Sequence, residues 1–313
     1  MCHSAQRVRQ ANYNLSLSYL FDLIRLARPK QWTKNLLVFA ALLVTKQYLN
    51  PDAVARTLAA FFAIAFVSSA TYVINDLLDR ERDAFHPKKK HRPLASGRVS
   101  TVAALLLAVI LAACGLALGF RLGSSDLAVL CTYLTIQVLY NGLLKRVAVA
   151  DVFVIASGFV LRAVLGAVVI QVQISGWLLF CTGAMALLLG FAKRRSEFIN
   201  QGEHRLASRE ALAGYTKVAL DAFVLFSAAC TAMAYGIYSI ESETAKRFPL
   251  IIVSTVFVCY GICRYLLIVY KDDEGGEPET LLFTDIHMIL TILFFVISVF
   301  VATSYTEVPF LGR

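Results

Sequence analysis

Apolar residues fall in long blocks divided by short polar connections. Blocks of roughly 17–25 apolar residues are long enough to cross a bilayer as helices. They lie at about 57–75, 101–120, 126–144, 147–170, 174–193, 218–240, 248–270 and 283–305. A shorter block, Leu36–Tyr48, is bounded by Lys34 and Lys46 and reads as a first helix whose polar start lies along the interface. No block reads as a strand. The pattern predicts an all-α polytopic membrane protein of nine transmembrane helices. It forms one domain over residues 1–313, with a polar cytoplasmic tail at 1–19.

Composition supports this. The chain is 58% hydrophobic and 16% charged, against about 25% charged residues in a soluble domain. Its formal net charge of +9 is distributed unevenly. Arg25, Arg28, Lys30 and Lys34 precede the first block, Arg80 to Arg98 follow the second, Lys145 and Arg146 follow the fourth, and Lys193 to Lys217 follow the sixth. The opposite connections hold little more than Lys46, Arg56, Arg121, Lys246 and Arg247. Cytoplasmic loops carry the excess of Lys and Arg, which places the N-terminus inside and, after nine helices, the C-terminus outside. Anionic lipid is a further partner for such loops. Nucleic acid is not, because the cations are divided among membrane connections. Met1–Asn14 lacks the charged start, apolar stretch and cleavage site of a signal peptide. The cysteines show no metal-ligand spacing or disulfide framework and read as small core residues.

Asn75-Asp76-Leu77-Leu78-Asp79-Arg80-Glu81-Arg82-Asp83 closes the second block. Carboxylates at a bilayer boundary are costly unless used. On a helix Asp76, Asp79 and Asp83 stand at i, i+3 and i+7 and share a face. Hard oxygen ligands so arranged suit Mg2+, which binds through one or two carboxylates plus substrate phosphates. A membrane enzyme that handles a diphosphate follows. The same connection continues as His86-Pro87-Lys88-Lys89-Lys90-His91-Arg92-Pro93-Leu94-Ala95-Ser96-Gly97. Acid then base is the layout of a metal-diphosphate site: carboxylates for the metal, Lys90 and the Arg92 fork for the remaining phosphate charge. A topology signal explains the lysines equally well.

Two more cytoplasmic connections carry candidates. Tyr140 and Lys145 close the fourth block and Asp151 opens the fifth. Arg162 follows Asp151 by about 16 Å of helix, near mid-bilayer, where an arginine faces a cavity or a partner. Substrate contact and an ion pair with a residue such as Asp221 both remain open. Lys193, Arg194, Arg195 and Glu197 close the sixth block and offer a phosphate grip with a carboxylate to orient it. The connection Lys271–Glu279 is acidic and Gly-rich and reads as a solvated loop or a second metal site.

The Asn75–Asp83 motif at the end of a second membrane helix resembles the first Asp-rich motif of the UbiA superfamily of intramembrane prenyltransferases. The nine-block count and Arg92-Pro93-Leu94 with Gly97 agree, over nearly the whole chain. The resemblance implies a UbiA-like helix bundle with a central cavity open to the cytoplasmic face. One departure stands out: where prenyl-diphosphate users carry a second Asp-rich motif, this chain has Lys193-Arg194-Arg195-Ser196-Glu197. Arg28-Pro29-Lys30-Gln31-Trp32-Thr33-Lys34-Asn35, Tyr140–Lys145 with Asp151, and Gly158–Ala163 are instead similar to the decaprenyl-phosphate phosphoribosyltransferase branch.

That branch implies Mg2+-dependent transfer of phosphoribose from 5-phosphoribosyl 1-diphosphate to a polyprenyl phosphate. Pyrophosphate leaves, and the product leads toward an arabinose donor for cell-wall glycans. It implies the bacterial inner membrane, a site facing the cytoplasm, and a homo-oligomer. Asn75, Asp76, Asp79 and Asp83 would hold the metal, and Tyr140 and Lys145 would orient phosphate oxygens. Lys30, Lys34, Lys90, Arg92, Asp151, Arg162, Lys193, Arg194 and Glu197 would serve the substrates. Gly158, Gly166, Gly183 and Gly190 would allow close helix approach or groove space. Two rivals stand beside this: a prenyltransferase to an aromatic acceptor such as 4-hydroxybenzoate, and a non-enzymatic lipid-phosphate transporter. The missing second Asp-rich motif argues against the first, and the one-sided aspartates against the second.

Overall fold

The computed structural model describes residues 18–85, 89–173, 175–200, 210–271, 281 and 284–304. Residues 1–17 of the expected tail, His86–Lys88 and the acidic stretch 272–279 lie outside them. Every regular element among the described residues is helical. Residues 18–26 form α1. Then come a 3-10 segment Pro29–Phe39, α2 (Ala40–Val44), α3 (Pro51–Leu78), α4 (Arg80–Ala84), α5 (Thr101–Leu122) and α6 (Ser124–Gly142). The second half holds α7 (Ala150–Val169), α8 (Gly176–Asn200), α9 (Lys217–Glu241), α10 (Glu243–Arg247), α11 (Ser254–Lys271) and α12 (Ile286–Ser304).

Among the described residues, 7 helices are long and apolar enough to cross a membrane, α11 counted from Pro249. Two of the nine expected spans are not among them. α6 is a helix of 19 residues, but Ser124, Asp126, Thr132, Thr135 and Gln137 dilute its apolar character. Leu36–Tyr48 is broken: it holds the end of the 3-10 segment, then the short α2, then Lys46 at φ 57.

Local chemistry sets the boundaries that moved. α3 starts at Pro51 because Asn50 caps it, its Oδ1 accepting the Asp52 N–H at 3.0 Å. At about 1.5 Å per residue, its 28 residues outreach a hydrocarbon core of about 30 Å. α7 starts three residues later than expected because Val149 sits at φ 68, an outlier for a β-branched residue.

The 3-10 segment is long for its kind, since such runs seldom exceed three or four residues. Its period of three aligns Trp32, Asn35 and Val38 in one row. Trp32 Nε1 donates to Ser69 Oγ on α3 at 3.0 Å. Asn35 is fully buried, and its Oδ1 accepts Arg162 Nε at 2.7 Å. Val38 packs where Gly166 of α7 lacks a side chain. Arg162 is completed by the Gly158 carbonyl at 2.7 Å and by Tyr133, whose hydroxyl lies at 3.1 Å under a ring 4.9 Å from the guanidinium. Asp221 instead pairs with Arg195, so the ion pair considered for Arg162 is not formed. The arginine ties the 3-10 segment to α7 through neutral acceptors.

α3 packs chiefly on α5, and α8 on α9, with α7 between the two halves against α6 and α8. One apolar core joins α3, α6, α7 and the 3-10 segment around Ile64, Val67, Leu130 and Leu165. A second joins α7, α8, α9, α11 and α12 around Val152, Leu188, Val224 and Ile268.

A Cβ at residue 166 would land on the Val38 backbone, whereas one at Gly236 meets nothing within 4 Å. Gly166→Ala should destabilise the protein by about 1–3 kcal/mol and loosen the 3-10 segment. Gly236→Ala should be neutral or slightly stabilising. Thermal unfolding of both variants in detergent checks this, and equal melting points would refute the close approach.

Candidate active site

The acidic row begins where α3 ends. Asn75 and Asp76 sit in its last turn, Asp79 is the junction residue, and Asp83 lies in α4. The chain stays near-helical through the junction: the Asp79 N–H donates to the Asn75 carbonyl at 3.0 Å, and the Asp83 N–H to the Asp79 carbonyl at 2.8 Å. At about 100° per residue, Asp76 and Asp83 point within about 20° of each other, while Asp79 is turned about 60° from Asp76. Their partners divide accordingly. Arg92 Nη1 donates to Asp76 Oδ1 at 2.9 Å and to Asp83 Oδ2 at 2.5 Å. Arg28 also pairs with Asp76, and Lys89 Nζ lies 3.9 Å from Asp83 Oδ1. Asp79 turns to the next loop and accepts Lys145 Nζ at 2.8 Å. The three carboxylates stay within about 60° of one another and divide only in their partners, Asp76 and Asp83 on Arg92 and Asp79 on Lys145.

Arg28 reaches Asp76 from a left-handed backbone (φ 52, ψ 56), with its guanidinium 5.3 Å from the Tyr72 ring centroid. Pro29 keeps Arg28 out of the right-handed helical region, and a left-handed backbone is uncommon for a residue other than glycine.

The donor set fits a divalent cation in chemistry. Two carboxylate oxygens, from Asp76 and Asp83, converge on one cationic atom, and Mg2+ takes one or two carboxylates with phosphate oxygens. Asn75 and Asp79 flank that pair. Among the described residues no group of three His, Cys, Asp or Glu side chains is placed to hold a metal ion. A divalent cation there would take its other ligands from phosphate or water.

Two clefts share walls beside the row. One, of about 360 Å³, is lined by Asp79, Glu81, Arg82, Asn141, Lys145 and Arg146, with Leu78 and Gly142. The other is lined by Asn75, Asp79, Asp83, Tyr140, Lys145 and Glu210, together with Arg82, Lys89 and Arg146. Asn141 is only 8% exposed, and its Oδ1 has no hydrogen-bond partner among the described residues. A buried acceptor left so costs about 1–3 kcal/mol.

The loop bearing Lys145 is fixed from the third connection. The strained Val149 donates its N–H to the Tyr215 hydroxyl at 2.6 Å, and that hydroxyl donates to Asp151 Oδ1 at 2.8 Å. Burial, and then the Asp151 carboxylate, push the Tyr215 phenol well above its ordinary pKa, which keeps the donated proton in place. Asp151 Oδ2 stands 3.0 Å from Arg194 Nε, and Arg194 also pairs with Glu197. Nearer the surface, Glu210 Oε1 accepts Arg82 Nη2 at 2.6 Å, and its Oε2 lies 3.5 Å from Arg146 Nε.

The structure thus gathers Asn75, Asp79, Asp83, Tyr140 and Lys145 at one cleft, joined to Asp76 and Arg92 through Asp83. Buried Asp151 and Arg194 form a separate network with the half-buried Glu197, and Arg162 is buried against Asn35 of the 3-10 segment. Lys30, Lys90 and Lys193 are exposed, Lys34 is half-buried, and none of the four lines either cleft. Arg82, Arg146, Asn141, Glu210 and Tyr215 join the site without having been singled out from sequence. Arg82 and Asn141 stand inside motifs already quoted. Glu210 and Tyr215 carry no local signal.

The model of the UbiA prenyltransferase family matches residues 36–194. The decaprenyl-phosphate phosphoribosyltransferase of Mycolicibacterium smegmatis is 32% identical over 287 residues, covering 87% of this chain and 88% of that protein. That of Mycobacterium tuberculosis is 31% identical over 271 residues, covering 84% of this chain and 87% of that protein. Among solved structures, a UbiA homolog from Archaeoglobus fulgidus bound to DMAPP and Mg2+ superposes with a TM-score of 0.69 at 20% identity, covering 91% of this chain and 99% of that one.

Tyr215→Phe keeps the ring and removes the hydroxyl between Val149 and Asp151. Hydrogen exchange of peptides spanning residues 143–152 should accelerate, and the melting point should fall by the equivalent of about 1–3 kcal/mol. Unchanged exchange would show that Tyr215 does not hold the loop.

Proposed function

The chain belongs to the UbiA prenyltransferase family as a multi-pass membrane transferase, and on that premise we propose that it moves 5-phosphoribose from 5-phosphoribosyl 1-diphosphate to a polyprenyl phosphate such as decaprenyl phosphate. The observation that carries this reading is the density of cations around the acidic row. Arg28, Lys89 and Lys145 each pair with one of its aspartates, and Arg92 with two. The reaction brings together a diphosphate, a sugar 5-phosphate and a lipid phosphate, and that negative charge needs more cations than a lone prenyl diphosphate does. Relatives named decaprenyl-phosphate phosphoribosyltransferase support transfer of a phosphoribosyl group and decaprenyl phosphate as its acceptor.

In this reading Asp76 and Asp83, flanked by Asn75 and Asp79, would hold Mg2+, and the ion would supply positive charge to a diphosphate leaving group. Lys145, kept at the cleft by Asp79, and Tyr140 orient diphosphate oxygens. Arg92 and Arg28 stand beside the carboxylates, where a phosphate would draw them across. Arg82 and Arg146 line the mouth for the 5-phosphate or the lipid phosphate. The anomeric C–O bond to the diphosphate breaks, its electron pair leaves with pyrophosphate, and a lipid phosphate oxygen forms the new bond. That oxygen is already ionised near neutral pH and needs no strong base. Arg194, Asp151 and Glu197 act by holding the Lys145 loop, and Arg162 by holding the 3-10 segment. Lys30, Lys34, Lys90 and Lys193 add positive potential at the approach. The prenyl tail lies in a groove between helices and the site faces the cytoplasm. The product is of the class that feeds a lipid-linked arabinose donor for surface glycans.

Purified protein with Mg2+, 5-phosphoribosyl 1-diphosphate and decaprenyl phosphate should release pyrophosphate, and a parallel reaction with a prenyl diphosphate and 4-hydroxybenzoate should not. The reverse result would assign the chain to aromatic prenylation. Asp79→Ala should lower turnover by roughly 100-fold while leaving the detergent-solubilised fold intact. Normal activity in that variant would remove Asp79 from the site.

A further inference from the structure

We propose that Asn141 reads a hydroxyl of the donor's sugar and so separates a phosphoribosyl diphosphate from a prenyl diphosphate. The inference rests on the donor class proposed above and adds the residue that selects it.

Asn141 belongs to the last turn of α6 and lines the cleft beside Asp79 and Lys145. Its side chain is more than nine-tenths buried, and its Oδ1 has no donor among the described residues. The cations sharing that wall have carboxylates already: Lys145 has Asp79, and Arg82 and Arg146 have Glu210. Asn141 lines the cleft while its Oδ1 is covered and unpaired, so a turn of the amide about its last torsion would bring to the cleft an acceptor that lacks a partner. The C-terminal end of a helix carries partial negative charge. Oδ1 and the end of α6 therefore repel phosphate oxygens alike and favour an O–H donor.

The candidate donors differ in what they bring. A diphosphate at neutral pH offers acceptors, and a prenyl chain offers neither donor nor acceptor. The ribose of a phosphoribosyl donor offers hydroxyls, each of which both donates and accepts. An amide turned about its last torsion presents its carbonyl or its amino group, and a hydroxyl satisfies either. A site built to bond a substrate hydroxyl discriminates strongly against an analogue lacking it, because its own polar group is then left unpaired.

The test compares Mg2+-dependent binding of 5-phosphoribosyl 1-diphosphate, inorganic pyrophosphate and dimethylallyl diphosphate to the full chain in detergent by calorimetry. Asn141→Ala should weaken the phosphoribosyl donor about tenfold and leave pyrophosphate within about twofold. Asn141→Ser, which retains a small hydroxyl, should recover part of the loss and serves as the second variant if alanine does not fold. Parallel weakening of donor and pyrophosphate would overturn the proposal, since Asn141 would then serve the diphosphate or its metal-bound water. No change in either would overturn it as well. Wild-type protein that binds dimethylallyl diphosphate and not the phosphoribosyl donor would instead refute the donor class itself.

Discussion

A carboxylate at the end of a membrane helix needs a cation, and here the cations arrive from separate stretches of chain. Arg28 comes from the approach to the 3-10 segment, Lys89 and Arg92 from the connection after α4, and Lys145 from the loop after α6. Each pairing closes a connection over the end of α3. The acidic row is therefore both the chemistry of the site and the post to which its roof is tied. Coulomb attraction at the edge of a low-dielectric slab is strong enough for this, whereas the same pairs in open water would contribute little.

Most of the helices are legible because lipid leaves the sequence few choices. A block of twenty apolar residues must satisfy its backbone internally, and the spans from α3 to α12 follow. The 3-10 segment is not legible. Trp32, Asn35 and Val38 form its inward row, but their partners Ser69, Arg162 and Gly166 lie on other helices. Nothing local distinguishes a period of three from 3.6 over so short a stretch. α6 is legible as a helix in the block at 126–144, although its polar residues dilute the apolar signal of a span.

The site divides along the same line. Asn75–Asp83 announces itself through three acids where lipid tolerates few. That Asp79 takes a different partner from Asp76 and Asp83 follows only once Lys145 is placed beside it. Glu197, the carboxylate that stands out after the sixth block, pairs with the buried Arg194, while Glu210, thirteen residues on, reaches the cleft. Tyr215 holds Val149 across a sequence separation of 66, a contact that only the packed chain can reveal.

The two sets of ion pairs around the Lys145 loop differ in their access to water. The Arg194–Asp151 pair is 2% and 0% exposed, whereas Arg82 and Glu210 are each 43% exposed. Dissolved salt screens charges beyond about 8 Å at physiological ionic strength and acts on wet pairs far more than on dry ones. Ionic strength therefore tunes the rim of the cleft and leaves its scaffold alone. Turnover compared between low-salt and high-salt buffers reports on how tightly the mouth is latched, with the framework beneath it unchanged.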